Sequence, residues 1–178
     1  MDKDLSEELS AELRGFEARR FNQNFEEGMV IYKNGQIKTF TGDNESVVLS
    51  GDKTGAITTH NHPISASDMA EGITTNTIFS SKDLNSFVNN FEKEMRMVTY
   101  DAKKKRNVVL SIKKTKDVSW TDFDLFKEGI SKTYKDFTRK NIASGWNKMA
   151  VNKNVSDLHK QMKDMAKKYN YVYKQTYL

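Results

Sequence analysis

The chain's only proline closes the tetrapeptide His60-Asn61-His62-Pro63, which also holds two of its three histidines. The tetrapeptide follows directly on the β-favouring run Ala56-Ile57-Thr58-Thr59. A strand ending in His-x-His carries both imidazoles on the same side of the backbone. Two neighbouring imidazoles are half of a zinc site, so the sequence is searched for the other half.

Composition narrows the chemistry. The chain has 178 residues and no cysteine, which removes disulfides, thiolate zinc fingers and a cysteine nucleophile. Its length suits one domain with an appendage. No apolar run approaches the length of a membrane span, and the polar start Met1-Asp2-Lys3-Asp4 is unlike a secretory signal. A cytoplasmic protein is the expectation. The net charge of +5 hides an asymmetry. Residues 1–99 carry 10 Lys and Arg against 16 Asp and Glu, whereas residues 100–178 carry 19 against 8. The basic half can face solvent, or attract nucleic acid or an acidic protein.

Hydrophobic periodicity gives the elements. Leu5, Leu9, Leu13 and Phe16 line one face of a helix over roughly residues 6–22. Gly28 to Tyr32 and Ile37 to Phe40 flank Asn34-Gly35 and predict a hairpin. Val47-Val48-Leu49 and Ala56 to Thr59 predict two further strands, and residues 64–78 a loop. A helix is expected from Ser80 or Ser81, with Leu84, Phe87, Val88 and Phe91 on its apolar face. Met95 to Tyr100 and Val108 to Ile112 predict strands around a basic turn. Phe123, Phe126, Ile130, Tyr134 and Phe137 predict a long helix behind Ser119 or Thr121. Leu158, Met162, Met165 and Tyr169 predict another behind Ser156. His159 is expected on the surface, Trp120 and Trp146 as packing anchors, and the tyrosines at 169, 171, 173 and 177 in core or edge-strand packing. The fold class is therefore α/β (α+β): a mixed β-sheet flanked by helices over residues 1–115, then a basic helical C-terminal extension over 116–178.

A catalytic zinc takes three protein ligands and keeps one open position. With His60 and His62 as two, Asp83 is the preferred third. It sits in the first turn of the helix predicted to follow Phe79-Ser80-Ser81-Lys82, where the positive end of the helix dipole favours an ionised carboxylate. Asp68, six positions after His62, is the competitor. A plain capping box accounts for Ser80-x-x-Asp83 as well, and the two roles are compatible.

His60-x-His62-Pro63 followed by Ser80-x-x-Asp83 resembles the signature of the JAMM, or MPN-domain, metalloproteases. The phrasing Thr-His-Asn-His-Pro and Phe-Ser-x-x-Asp is closest to the RadC-like and phage head-morphogenesis-associated branches. The resemblance covers roughly residues 12–115. It implies a JAMM/cytidine-deaminase-like fold, with His60, His62 and Asp83 as Zn2+ ligands and Ser80 donating to the oxyanion. It implies a general-base glutamate at the start of an upstream strand, where Glu26 and Glu27 both stand. Only one of two adjacent strand residues can face the metal; counting back from Gly35 favours Glu26. The family's serine follows the second histidine more closely than the eighteen positions found here. The surplus would form a lid or substrate loop.

The implied activity is hydrolysis of a peptide or isopeptide bond in a protein substrate, such as one bearing a ubiquitin-like tail. The rival expectation, motivated by the basic half, is a phage- or nucleic-acid-associated module that uses the fold as a non-catalytic scaffold. The blandest is an inactive domain for protein interaction.

Overall fold

The computed structural model describes residues 5–21, 23–116 and 118–178. The architecture is mixed α/β. Six strands form one sheet in the order β2-β1-β3-β4-β5-β6. They are β1 (Glu27–Ile31), β2 (Ile37–Thr41), β3 (Ile57–Asn61), β4 (Glu94–Asp101), β5 (Arg106–Lys114) and β6 (Tyr171–Tyr177). All neighbours are antiparallel except β3 and β4. A parallel pair needs a crossover. Here it is made by α2 (Ala66–Glu71), a 3-10 turn (Thr75–Thr77) and α3 (Ser81–Asn89). Such a crossover brings the N-terminus of its helix to the carboxyl end of the first strand, where ligand sites of open α/β sheets collect.

The two sheet faces are covered differently. On one lies α1 (Glu7–Ala18), whose Leu13 and Phe16 pack on Met29, Ile31 and Ile57. Ser6 caps it by accepting from the Leu9 N–H. The other face carries α3 with a long hairpin of α4 (Trp120–Ala143) and α5 (Lys148–Lys168). Leu84, Phe87, Phe126, Ile130, Leu158 and Met162 from these helices share one core with Met95, Met97, Leu110 and Ile112 of the sheet. Strand alternation assigns the rest. Ile57, Thr59 and Asn61 belong to the α1 face, and Thr58, His60 and His62 to the α3 face. Two side-chain bonds agree with that division: Thr59 donates to Glu17 of α1, and Thr58 donates to Glu92, which follows α3.

Several expectations change. Residues 116–178 are not a purely helical extension. Their helices close the main core, and the chain returns as β6, which pairs along the length of β5. Tyr171 and Tyr173 supply the buried alternation of that strand. Val47-Val48-Leu49 is irregular backbone rather than a strand, and the Val47 N–H goes to the Glu26 carboxylate. Residues 64–78 are not a plain loop. Ser65 caps α2 by accepting from the Asp68 N–H, and Gly72 closes it at φ 65°. α5 begins at Asn147 instead of Ser156, since the Asn147 side chain accepts from the Met149 and Ala150 N–H groups. Trp120 and Trp146 are 73% and 52% exposed; Trp120 packs edge-on against Phe91 and Phe123 at the rim of the core, and neither ring is buried. No helix among the described residues is long and apolar enough to cross a membrane.

His159 is also corrected. It faces β6 rather than open solvent, with Nδ1 2.7 Å from the Tyr173 hydroxyl and Nε2 3.0 Å from the Gln175 amide nitrogen. Burial pushes its pKa down to about 4. Between pH 6.5 and about 4 the unfolded chain takes up a proton that the folded protein refuses. Stability is therefore expected to fall as the pH drops through that window, by at most about 3 kcal/mol. Urea unfolding at a series of pH values checks this, and His159→Gln should remove that part of the slope.

Candidate metal centre

The His60 and His62 Nε2 atoms lie 3.1 Å apart at the carboxyl end of β3. Asp83 approaches from the start of α3, with Oδ1 3.5 Å from His60 Nε2 and Oδ2 3.3 Å from His62 Nε2. One ligand atom from each residue lies within 4.8 Å of the other two. Zinc bonds of ~2.0–2.1 Å at tetrahedral angles set donor atoms roughly 3.3–3.4 Å apart. The imidazole separation and the approach of one Asp83 oxygen to each ring are near that spacing, and two imidazoles with a carboxylate are a donor set that zinc accepts. Asp68 is not in this group; it stands in the first turn of α2.

Each ligand is held by its local structure. Ser80 and Asp83 form a reciprocal capping box: Asp83 Oδ2 accepts the Ser80 N–H at 2.7 Å, and Ser80 Oγ accepts the Asp83 N–H at 3.1 Å. The cap thus orients the proposed ligand, as outer-shell partners of metal sites do. Ser80 Oγ accepts in this box and keeps its own O–H as a donor. The Tyr134 hydroxyl of α4 donates to the Phe79 carbonyl just before Ser80. Thr99 of β4 donates to the His62 carbonyl at 2.7 Å.

The electrostatics follow from burial and proximity. Burial alone would raise the Asp83 carboxyl, but the His60 and His62 rings hold it well below the usual carboxylate range. Burial opposes a charge on His60; the Asp83 carboxylate outweighs it, and the His60 pKa lies above its ordinary value. The Asp83 carboxylate is thereby held ionised between the two imidazoles.

The sheet register separates the two glutamates. Gly28 pairs with His60 across β1 and β3. Two residues further along, the same register sets Glu26 opposite His62 and on the same face. Glu27 belongs to the α1 face and pairs there with Arg20, Oε2 to Nε at 3.0 Å. Glu26 is 9% exposed, and burial raises its pKa, partly offset by His62 and His60, while Asp83 adds to the rise. Its carboxylate also accepts the Val47 N–H. The residues expected as a strand at 47–49 therefore pass over the site. Leu49 fills the space beside Gly28, where an added Cβ would meet Leu49 Cδ2 at 2.3 Å and the Thr59 carbonyl at 3.2 Å.

Asn61, Tyr134 and Thr99 position the site although no motif marked them. Asn61 is fully buried on the face opposite the imidazoles. Its Oδ1 accepts the Glu27 N–H at 2.6 Å and its Nδ2 donates to the Phe25 carbonyl at 2.9 Å, so it clamps the backbone on both sides of Glu26. The available signal was its place between the histidines. Tyr134 was legible only as part of an apolar stripe, and its polar tip had no visible target. Asn61→Ala leaves a part-buried N–H and a carbonyl without these partners, at about 1–2 kcal/mol each. A loss of about 2–4 kcal/mol in urea unfolding is expected, with the Glu26 segment loosened in hydrogen exchange.

No protein-family model, curated protein or solved structure matches the chain.

Proposed function

We propose that the protein is a metal-dependent hydrolase of peptide or isopeptide bonds, with a JAMM-like site. The observation that carries this is the convergence of His60, His62 and Asp83 within coordinating reach of one point, with a buried glutamate on the same sheet face. The resemblance of His60-x-His62-Pro63 and Ser80-x-x-Asp83 to the JAMM signature supports the reaction class and the finer fold assignment.

His60, His62 and Asp83 would hold the ion. When bound, zinc supplies Lewis acidity and makes water a usable nucleophile near neutral pH. Glu26, buried and opposite His62, takes the proton of the attacking water and returns it to the leaving amine. Its raised pKa suits both directions of transfer. The Ser80 hydroxyl, with its oxygen engaged by the helix cap, donates to the developing oxyanion. Thr99 and Tyr134 keep the two halves of the site in place through the His62 and Phe79 carbonyls.

The test combines metal analysis with cleavage. The purified protein should carry about one zinc per chain and cleave a quenched peptide or lysine-isopeptide substrate. A chelator should abolish that activity and added zinc should restore it. Activity that is indifferent to chelation, or a chain that binds zinc and cleaves none of these substrates, overturns the proposal.

A further inference from the structure

A second site lies away from the imidazoles, where α5, β6 and the β4–β5 turn meet. A groove of ≈ 740 Å³ opens there. Five lysines line it: Lys103 and Lys104 from the turn, Lys160 and Lys163 from α5, and Lys174 from β6. All five are exposed, and none forms an ion pair among the described residues. The one acid in the lining, Asp101, is committed elsewhere. Its Oδ1 accepts the Lys103 and Lys104 N–H groups, and its Oδ2 accepts the Tyr177 hydroxyl. This aspartate shapes the turn that presents the lysines. Lys104 is further placed by its ammonium, 3.8 Å above the Tyr177 ring.

The groove is elongated. A neighbouring recess of ≈ 710 Å³ shares Lys103, Asn152 and Ser156 with it and adds Lys148 and Lys153. The exposed ring of Trp146 stands next to that recess in sequence, directly before Asn147 and Lys148. Seven lysines across the two recesses against Asp101 and Asp157, with amide and hydroxyl donors among them and an aromatic residue next in sequence, suit a strand of regularly spaced anions. Every cation there is lysine. Lysine meets an anion as a point charge, without the bidentate fork of arginine, which suits a sequence-independent contact with phosphates.

We propose that this groove binds the phosphate backbone of a nucleic-acid strand, without base specificity and independently of the metal centre. Salt dependence provides the test. Each phosphate neutralised on a single strand contributes about −0.7 to the slope of log K against log salt. Engagement of all five lysines therefore gives a slope of about −3.5, a loss of roughly 100-fold between 50 and 200 mM salt. Fluorescence anisotropy with a labelled single-stranded DNA 20-mer measures it. The double change Lys160→Gln and Lys163→Gln should bring the slope to about −2.1. Lys103→Gln with Lys174→Gln should do the same, which guards against one pair acting through folding. Lys132→Gln with Lys135→Gln on α4, outside the groove, should change nothing, and His60→Ala should bind as the wild type does.

The proposal is overturned by an absence of binding at 50 mM salt or by groove variants that behave like the α4 pair. It is also overturned if polyglutamate competes as well as the oligonucleotide at equal charge, which would make the partner an acidic protein.

Discussion

His60→Ala is expected to lose its zinc: from about one ion per chain to a trace after dialysis, with hydrolysis falling to background. His60 is 4% exposed, and its ring nitrogen forms two edges of the proposed coordination face. Loss of an outer-shell partner already costs a metal site about 10–100-fold in affinity, so deletion of a ligand must cost more than 100-fold. A ligand present at a hundred times its Kd stabilises the folded state by about 2.7 kcal/mol. The zinc-induced rise in melting temperature should therefore vanish in the variant. Asp68→Asn is the control, since Asp68 lies outside the cluster and should leave zinc content unchanged. Full zinc retention in His60→Ala would mean that the ion sits elsewhere.

Glu26→Gln should separate binding from chemistry. The zinc content stays at the wild-type level, and kcat falls by about 10²–10⁴-fold, the usual contribution of a positioned general base. Glutamine keeps the size of the side chain and can still accept the Val47 N–H, so the loop over the site stays in place. Glu27→Gln should leave kcat near wild type. Its cost is to the Arg20 contact on the other sheet face, a partly buried pair. Single-turnover rates and metal analysis on both variants decide between the glutamates. A turnover defect in Glu27→Gln with none in Glu26→Gln would reverse the assignment.

The imidazole pair was legible because two residues spaced by one on an extended segment must share a face, whatever the rest of the chain does. Asp83 was legible through local chemistry of the same kind: a serine three positions ahead makes a cap, and a cap fixes where the acid points. The long helices were legible from their apolar stripes. Misplaced features share a different cause. Val47-Val48-Leu49 has the composition of a strand, yet the Val47 N–H goes to the Glu26 carboxylate and Leu49 packs beside Gly28, contacts that exist only in the assembled fold. The hydrogen bonds of His159 need β6 alongside α5, a pairing across the fold. Trp120 and Trp146 read as packing anchors because of their size, yet they fall at the start of α4 and on the α4–α5 turn, where both rings stay largely exposed and Trp120 packs only at the rim, on Phe91 and Phe123.

Local rules of spacing and capping therefore picked out from sequence alone the three side chains that the fold gathers, and that the chain mixes strands with helices. Only the assembled sheet decided how distant pieces meet. The β1–β3 register sends Glu26 to the imidazole face and Glu27 to Arg20, and Asn61 holds that choice through the backbone. The return of the chain as β6 joins the basic segment to the main core and forms the lysine groove. Strand order and register are set by long-range pairing and burial, which a linear pattern constrains only weakly.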